Sequence, residues 1–305
     1  MSNRTPVNIS ASVRQRLLNI CNKKGDDPNL ILIRYSLERL LYRLSLSEYR
    51  NSFVLKGAAL FVVWMNEQHR PTMDLDLLGK VEDTEGKLAE IFKEICRVSA
   101  EPDGLAFDSD SIKVTEIRED QEYKGRRIRL LSYLGTARIP VQIDIGFGDI
   151  VTPEPERVNY PSLLDFSAPS LKAYPRETVV AEKLQSMIVL GIQNSRMKDF
   201  YDLYVLSTNF IFQGPILLEA IKRTFNRRKT PMPKSMPIIF TDEFAIDRDK
   251  LIQWNAFIMR SKIERKVPTF NEVMKKLKEF LMPFWYALSN SETFNKSWPK
   301  GGLWS

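Results

Sequence analysis

The chain contains little cysteine and almost no histidine. Among its 305 residues are two cysteines, Cys21 and Cys96, and a single histidine, His69. Two cysteines are too few for a disulfide framework or a cysteine-ligated zinc site, and one histidine excludes a multi-histidine metal centre. Any chemistry must therefore depend mainly on carboxylates and lysines, and we expect both thiols to be reduced and partly buried.

Long apolar segments are also missing. The sequence has no uninterrupted apolar stretch long enough to cross a bilayer, and its first part carries scattered charges instead of a basic end followed by an apolar run. This pattern excludes an ordinary membrane-spanning helix and gives no sign of a secretion signal. We expect a cytoplasmic protein that does not associate with membranes.

The composition is that of a folded protein with a basic surface. Hydrophobic residues make up 43% and charged residues 27%, which excludes a disordered or collagenous chain. The formal net charge is +7, with a pI near 9.2. Such an excess favours polyanionic partners such as nucleic acid or nucleoside triphosphates, although many basic proteins bind neither.

The first half of the chain alternates between helical and strand patterns. Apolar spacing predicts helices over residues 30–46 and 84–98, and a short helix after the turn at Lys56 and Gly57. Strands are predicted at 53–55, 73–78, 112–117, 127–134 and 139–145. This order is typical of an α/β (α+β) lobe with a mixed sheet.

A cluster of prolines separates this half from a helical one. Five prolines lie between residues 153 and 175, a density that resists regular structure and suits a connection between lobes. We therefore predict one lobe at residues 1–160 and a mostly helical lobe at 161–305. Helical periodicity in the second lobe covers residues 176–190, 197–208, 215–226, 247–260 and 269–288.

Three aspartates form the strongest chemical pattern. Asp74 and Asp76 alternate with leucines, so both carboxylates leave the same face of a strand. In residues 141–145, VQIDI, the aliphatic side chains face the core and leave Asp144 on the other side with Gln142. Carboxylates on one face repel one another unless a divalent cation binds, and hard oxygen ligands suit Mg²⁺. Taken alone, Asp74 and Asp76 fit the polar face of an edge strand better than a metal site.

Six segments together make the sequence resemble a known family. In chain order they are residues 39–44 RLLYRL, 53–60 FVLKGAAL, 70–77 RPTMDLDL, 142–149 QIDIGFGD, 180–184 VAEKL and 196–203 RMKDFYDL. They are similar to the nucleotidyltransferase superfamily, specifically to the AbiEii/AbiGii-type toxin family that includes the MenT toxins. The chain departs from the usual pattern at Ala58, where a second glycine or a serine is common, and spaces its glycine turn somewhat widely from Asp74.

The resemblance implies roles for individual residues. It implies a nucleotidyltransferase-fold lobe whose Asp74, Asp76 and Asp144 bind Mg²⁺ or Mn²⁺, and a helical lobe that completes the nucleotide and acceptor cleft. It implies that Lys183 contacts the triphosphate. It also implies that an acidic residue is essential, with Asp199 as the first candidate and Asp202 as the second. An ion-pair network that only orients Lys183 explains these two aspartates equally well. The implied nucleotide contacts are Lys56, Gly57, Ala58, Thr72, Lys183 and Asp202.

The resemblance also implies a reaction and its partners. Members of this family transfer a nucleoside monophosphate from an NTP to an RNA acceptor, and the resemblance points to tRNA 3′ ends, blocked translation and a cognate antitoxin. Two alternatives stay open. The same site could nucleotidylate a protein side chain, or the chain could be a non-catalytic module that binds nucleotide or antitoxin.

Overall fold

The chain folds into two compact units. The computed structural model describes residues 8–25, 27–117, 125–261, 263 and 267–305. The first unit comprises Met1–Gly148 and Glu156–Ala173, and the second comprises Asp149–Pro155 and Tyr174–Ser305. The predicted functional division at residue 160 stays a prediction.

Three helices of the first unit, α1, α2 and α4, begin where the sequence supplies a capping side chain. In α2, Asp27 accepts from the amide of Asn29 and Pro28 occupies the first turn, where no amide donor is needed. In α4, Thr84 accepts from the amide of Lys87, and one apolar face is buried. The described helices of this unit are α1 (Ile9–Lys24), α2 (Pro28–Leu46), α3 (Ala59–Met65) and α4 (Glu85–Arg97).

A mixed sheet forms the centre of the first unit. Its strands among the described residues are β1 (Phe53–Lys56), β2 (Asp74–Gly79), β3 (Leu105–Ile117), β4 (Gly125–Leu134), β5 (Ala137–Phe147), β6 (Glu156–Asn159) and β7 (Ser170–Ala173). They lie in the order β3-β4-β5-β2-β1-β7-β6. The pairs β2 with β5 and β1 with β7 are parallel, and the other pairs are antiparallel. The predicted α/β class with a mixed sheet is confirmed.

A buried charged network fixes α2 within this unit. The fully buried Arg39 donates to Asp103 at 3.0 Å and to Glu101 at 2.9 Å, and Arg43 also pairs with Asp103 at 2.7 Å. The neighbouring Glu38 accepts from the amide of Leu163 at 2.8 Å. Burial nevertheless raises the pKa of Glu38 from 4.5 to about 7, because desolvation penalises its charged form.

Three details of the sheet differ from the prediction. The proline-rich segment contains β6 and β7, because prolines flank these short strands and do not interrupt them; β6 is the edge strand and β7 pairs with β1. Strand β3 begins at Leu105 instead of residue 112, since a bulge between Asp108 and Lys113 breaks its alternation. Met73, the first residue of the strand predicted at 73–78, precedes β2 and is 58% exposed.

The second unit is mostly helical. Its longest helix, α10, begins with a capping box in which Thr269 and Glu272 satisfy each other's amides. Phe200, Phe244 and Phe270 pack their rings together in its core. The described elements are α5 (Arg176–Leu190), α6 (Met197–Asn209), β8 (Phe212–Gln213), α7 (Gly214–Arg227), α8 (Asp242–Ile246), α9 (Arg248–Ser261), α10 (Phe270–Ser289) and β9 (Ser297–Trp298). None of the helices in the described ranges is long and apolar enough to cross a membrane.

Candidate functional site

The three aspartates predicted from the sequence lie on neighbouring strands of the first unit. Strands β2 and β5 are parallel, and their register pairs Asp76 with Asp144 and Asp74 with Gln142. Partners in register project from the same face of a sheet, and adjacent strands are about 4.8 Å apart. The alternate residues Leu75, Leu77, Ile143 and Ile145 are buried on the other face. The alternation read from the sequence therefore matches the burial of both strands.

The glycine turn lies directly against one of these carboxylates. Gly57 has a φ of +74°, and a Cβ placed on it would lie 1.9 Å from Oδ2 of Asp76. The antiparallel register pairs the preceding Lys56 with Asp76. Only a residue without a side chain permits this close approach, so the sequence requires glycine for two reasons, the backbone angle and the space.

Asp74 and Asp144 each accept hydrogen bonds from a nearby side chain. Oγ1 of Thr72 donates to Oδ1 of Asp74 at 2.7 Å. The guanidinium of Arg127 on β4 donates two hydrogen bonds to Asp144, from Nε to Oδ1 at 2.8 Å and from the terminal nitrogen to Oδ2 at 2.6 Å. The β4–β5 register places these two residues directly opposite each other. Asp144 is therefore part of a bidentate ion pair, the strong form of this interaction.

The carboxylates fit a divalent cation in part. Asp74 and Asp76 offer hard oxygen donors from one face of the sheet. The backbone of Gly57 lies next to Asp76, and because glycine has no side chain it leaves the space beside that carboxylate open. Asp144 lies in register with them but has both oxygens engaged by Arg127. Across the described ranges, no group of three or more His, Cys, Asp or Glu side chains is arranged to hold a metal ion. Metal ligation by all three aspartates remains a prediction.

Three further predicted residues, Lys183, Asp199 and Asp202, lie in the second unit and form an ion-pair cluster. Lys183 of α5 pairs with both Asp199 and Asp202 of α6, the latter at 3.0 Å. Asp202 has a side chain that is 1% exposed, and Lys183 offsets the cost of burying its charge. The alternative in which the two aspartates orient Lys183 thus agrees with the geometry. Ala58, predicted to contact nucleotide, is buried at the start of α3.

Sequence reasoning missed the partners of two arginines. Arg127 was read only as part of a strand, although Arg127 and Arg129 alternate on β4 as the two aspartates do on β2. In the second unit, Arg228 binds Asp149 at 3.0 Å and Gln185 at 2.9 Å. Alternation could have placed Arg127 on one face of its strand, but its partner depends on the strand order of the sheet.

Comparisons with known proteins give one family match. The family described as "Nucleotidyl transferase AbiEii toxin, Type IV TA system" matches residues 39–276 of the 305-residue chain. No curated protein matches.

Two solved structures from Helicobacter pylori are similar to the chain at a low level. One, a candidate nucleotidyltransferase, is 13% identical, with a TM-score of 0.45 and coverage of 84% of this chain and 95% of its own. The other, JHP933, is 14% identical, with a TM-score of 0.46 and coverage of 83% and 90%. At TM-scores below 0.5, neither likeness bears on function.

Proposed function

Because the chain belongs to the AbiEii family of nucleotidyltransferase toxins of type IV toxin–antitoxin systems, we propose that its substrates are an NTP and an RNA acceptor. In the proposed reaction a terminal hydroxyl of the RNA forms a bond to the α-phosphorus. The bond from that phosphorus to the bridging oxygen breaks, pyrophosphate leaves, and the hydroxyl proton passes to water. We propose tRNA 3′ ends as the acceptor, which would block translation.

The observation that carries this proposal is the arrangement around Asp76. Its carboxylate lies beside Asp144 in the parallel register, and the backbone of Gly57 lies against it. We assign Asp74 and Asp76 as primary metal ligands and Asp144 as the third. A divalent cation held there, Mg²⁺ or Mn²⁺, would activate the acceptor hydroxyl and neutralise the leaving pyrophosphate.

Other residues of the chain would bind and orient the nucleotide. Lys183 carries a positive charge that would offset charge developing on the leaving phosphates, and Asp199 and Asp202 would fix the position of its ammonium. Thr72 orients Asp74 through its hydroxyl. We assign Lys56, Gly57 and Ala58 to nucleotide contacts, as the resemblance implies.

Partners and location follow from the family and the charge. Toxin–antitoxin membership implies a cognate antitoxin. A net charge of +7 favours association with RNA, and we propose a cytoplasmic location, where tRNA and NTPs are available.

The direct experiment incubates the purified chain with each NTP, Mg²⁺ and total tRNA, and then sequences the tRNA 3′ ends. We expect added nucleotides with the wild type and a loss of at least about 100-fold with Asp76→Asn, which removes a charge without changing shape. Asp110→Asn is the matched control, because Asp110 is an exposed aspartate on β3 of the same sheet.

Parallel incubations with a protein extract separate the alternatives. These incubations use labelled NTPs. If label is found only on protein, the acceptor is a protein side chain and not RNA. If neither RNA nor protein gains label while the chain still binds NTP, the non-catalytic alternative is correct. Asp76→Asn activity equal to that of the wild type would refute the assigned metal site.

A further inference from the structure

Asp144 has a cationic partner within the chain itself. Arg127 and Asp144 are direct cross-strand partners and form two hydrogen bonds, of 2.8 and 2.6 Å. The two side chains are 27% and 17% exposed, so solvent screens their attraction less than at an open surface. A planar guanidinium that grips both carboxylate oxygens fixes the orientation of that carboxylate.

We propose that Arg127 is an internal counter-cation that competes with the divalent metal ion for Asp144. Asp76 and Asp144 are register partners on parallel strands, so their like charges repel when nothing neutralises them. An arginine remains protonated at any pH at which the protein folds, so it supplies that neutralisation permanently. A metal ion shared by Asp76 and Asp144 would perform the same task and would be repelled by the guanidinium already there.

The neighbouring Arg129 shows that this pairing is specific. Arg129 lies two residues further along β4 and therefore on the same face, opposite Gln142. Its Nε contacts Oε1 of Gln142 at 3.3 Å, a neutral partner, and the side chain is exposed. Two arginines on one strand face thus differ in one respect that matters, since only Arg127 has a carboxylate of the predicted metal site as its partner.

This inference deepens the proposed function and rests on its metal site. The competition would make Asp74 and Asp76 the main metal ligands of the enzyme without substrate. Asp144 would contribute only when Arg127 releases it. In the absence of nucleotide, the protein would then bind the metal ion more weakly than it would if all three aspartates were ligands.

Mn²⁺ titration of the full chain, followed by electron paramagnetic resonance without nucleotide or RNA, tests this competition. We expect Arg127→Met to bind Mn²⁺ about 10-fold more tightly than the wild type, the scale on which residues behind metal ligands act. Arg129→Met is the matched control and should change the affinity less than about 2-fold, because it touches no carboxylate. Adding Asp144→Asn to Arg127→Met should abolish the gain, since the gain comes from the released carboxylate.

Unchanged or weaker Mn²⁺ binding by Arg127→Met would overturn the inference, and weaker binding would make Arg127 a residue that supports Asp144 as a ligand. Absence of Mn²⁺ binding in every variant would overturn it as well. If Arg127→Met fails to fold, Arg127→Lys replaces it. A lysine keeps the positive charge but cannot donate two parallel hydrogen bonds to the carboxylate, so we expect Mn²⁺ binding about 3-fold tighter than in the wild type. The Mn²⁺ titration does not depend on the transfer reaction, so the two proposals can fail separately. Tighter binding by Arg127→Met, together with no nucleotide transfer in the tRNA assay, would refute the proposed function and leave this inference standing.

Discussion

At the scale of single residues, Gly57 is the position where the backbone conformation most directly affects the candidate site. A methyl group at this position would lie 1.9 Å from Oδ2 of Asp76, and the φ of +74° is unfavourable for any residue with a side chain. We predict that Gly57→Ala displaces the Asp76 carboxylate. Nucleotide transfer should fall at least about 10-fold, since displacing a catalytic group by about 1 Å costs up to about 100-fold.

Gly135→Ala separates this displacement from backbone strain. Gly135 also has a positive φ, +61°, but a Cβ there would meet only Ser10 at an ordinary 3.6 Å. Both variants should lose about 1–2 kcal/mol of stability from the left-handed backbone, measured by urea unfolding, and only Gly57→Ala should lose activity. Equal activity losses in the two variants would show that the approach to Asp76 does not matter.

The residues of the carboxylate face were predictable to different degrees. Asp76 and Asp144 could be placed on the polar faces of their strands because alternation with leucine and isoleucine specifies a face. That they are neighbours could not be derived from the pattern, since β2 and β5 are separated by β3 and β4 in sequence. Arg127 became visible only through the register that sets it opposite Asp144.

At the scale of elements, Lys183 connects two helices of the second unit. It extends from α5 to Asp199 and Asp202 of α6, and both carboxylates are largely buried. We predict that Lys183→Met destabilises this unit by about 3 kcal/mol, because Asp199 and Asp202 both lose the cation with which they pair. Four of the five tryptophans lie in this unit, so fluorescence during urea unfolding reports mainly on it.

Two further variants distinguish this structural contribution from a general effect of losing a lysine. Lys222→Met removes an exposed lysine from α7 and should change stability by less than about 0.5 kcal/mol. Asp202→Asn combined with Lys183→Met should recover part of the loss, since the more buried of the two negative charges is gone. If Lys183→Met is as stable as the wild type but inactive, the lysine contributes to the reaction and not to the packing of α5 against α6.

Elements with strong periodicity were predicted better than short or irregular ones. The predicted helix at 176–190 coincides with α5, because its ends carry a proline before and a glycine after. The strands β6 and β7 were missed because four residues are too few to show a period, and prolines nearby suggested irregular structure. Helix α1 was also missed, since its apolar stripe is narrow and polar residues surround it.

At the scale of the whole molecule, the described part of the chain has two units, each with its own core, and an unfolding experiment must state which one it follows. Cys21 and Cys96 are buried and both lie in the first unit. Thiol reactivity after equilibration in urea therefore reports the unfolding of that unit. The same unit contains Glu38, whose pKa burial raises to about 7.

The stability of the first unit should consequently depend on pH through Glu38. Below about pH 4.5 this carboxyl is protonated whether the chain is folded or not, and above about pH 7 it is ionised in both states. In between, the folded protein retains a proton that the unfolded chain loses, so the Glu38 contribution to the free energy of unfolding falls as pH rises.

Glu38→Gln should remove this contribution while its amide oxygen still accepts from Leu163. We expect wild type and variant to be similarly stable at pH 4.5 and the variant to be more stable at pH 8 by up to roughly 3 kcal/mol. Thiol labelling of both proteins at the same pH cancels the intrinsic reactivity of cysteine. A stability difference that does not change with pH would show that Glu38 ionises in the folded protein as it does in the unfolded chain.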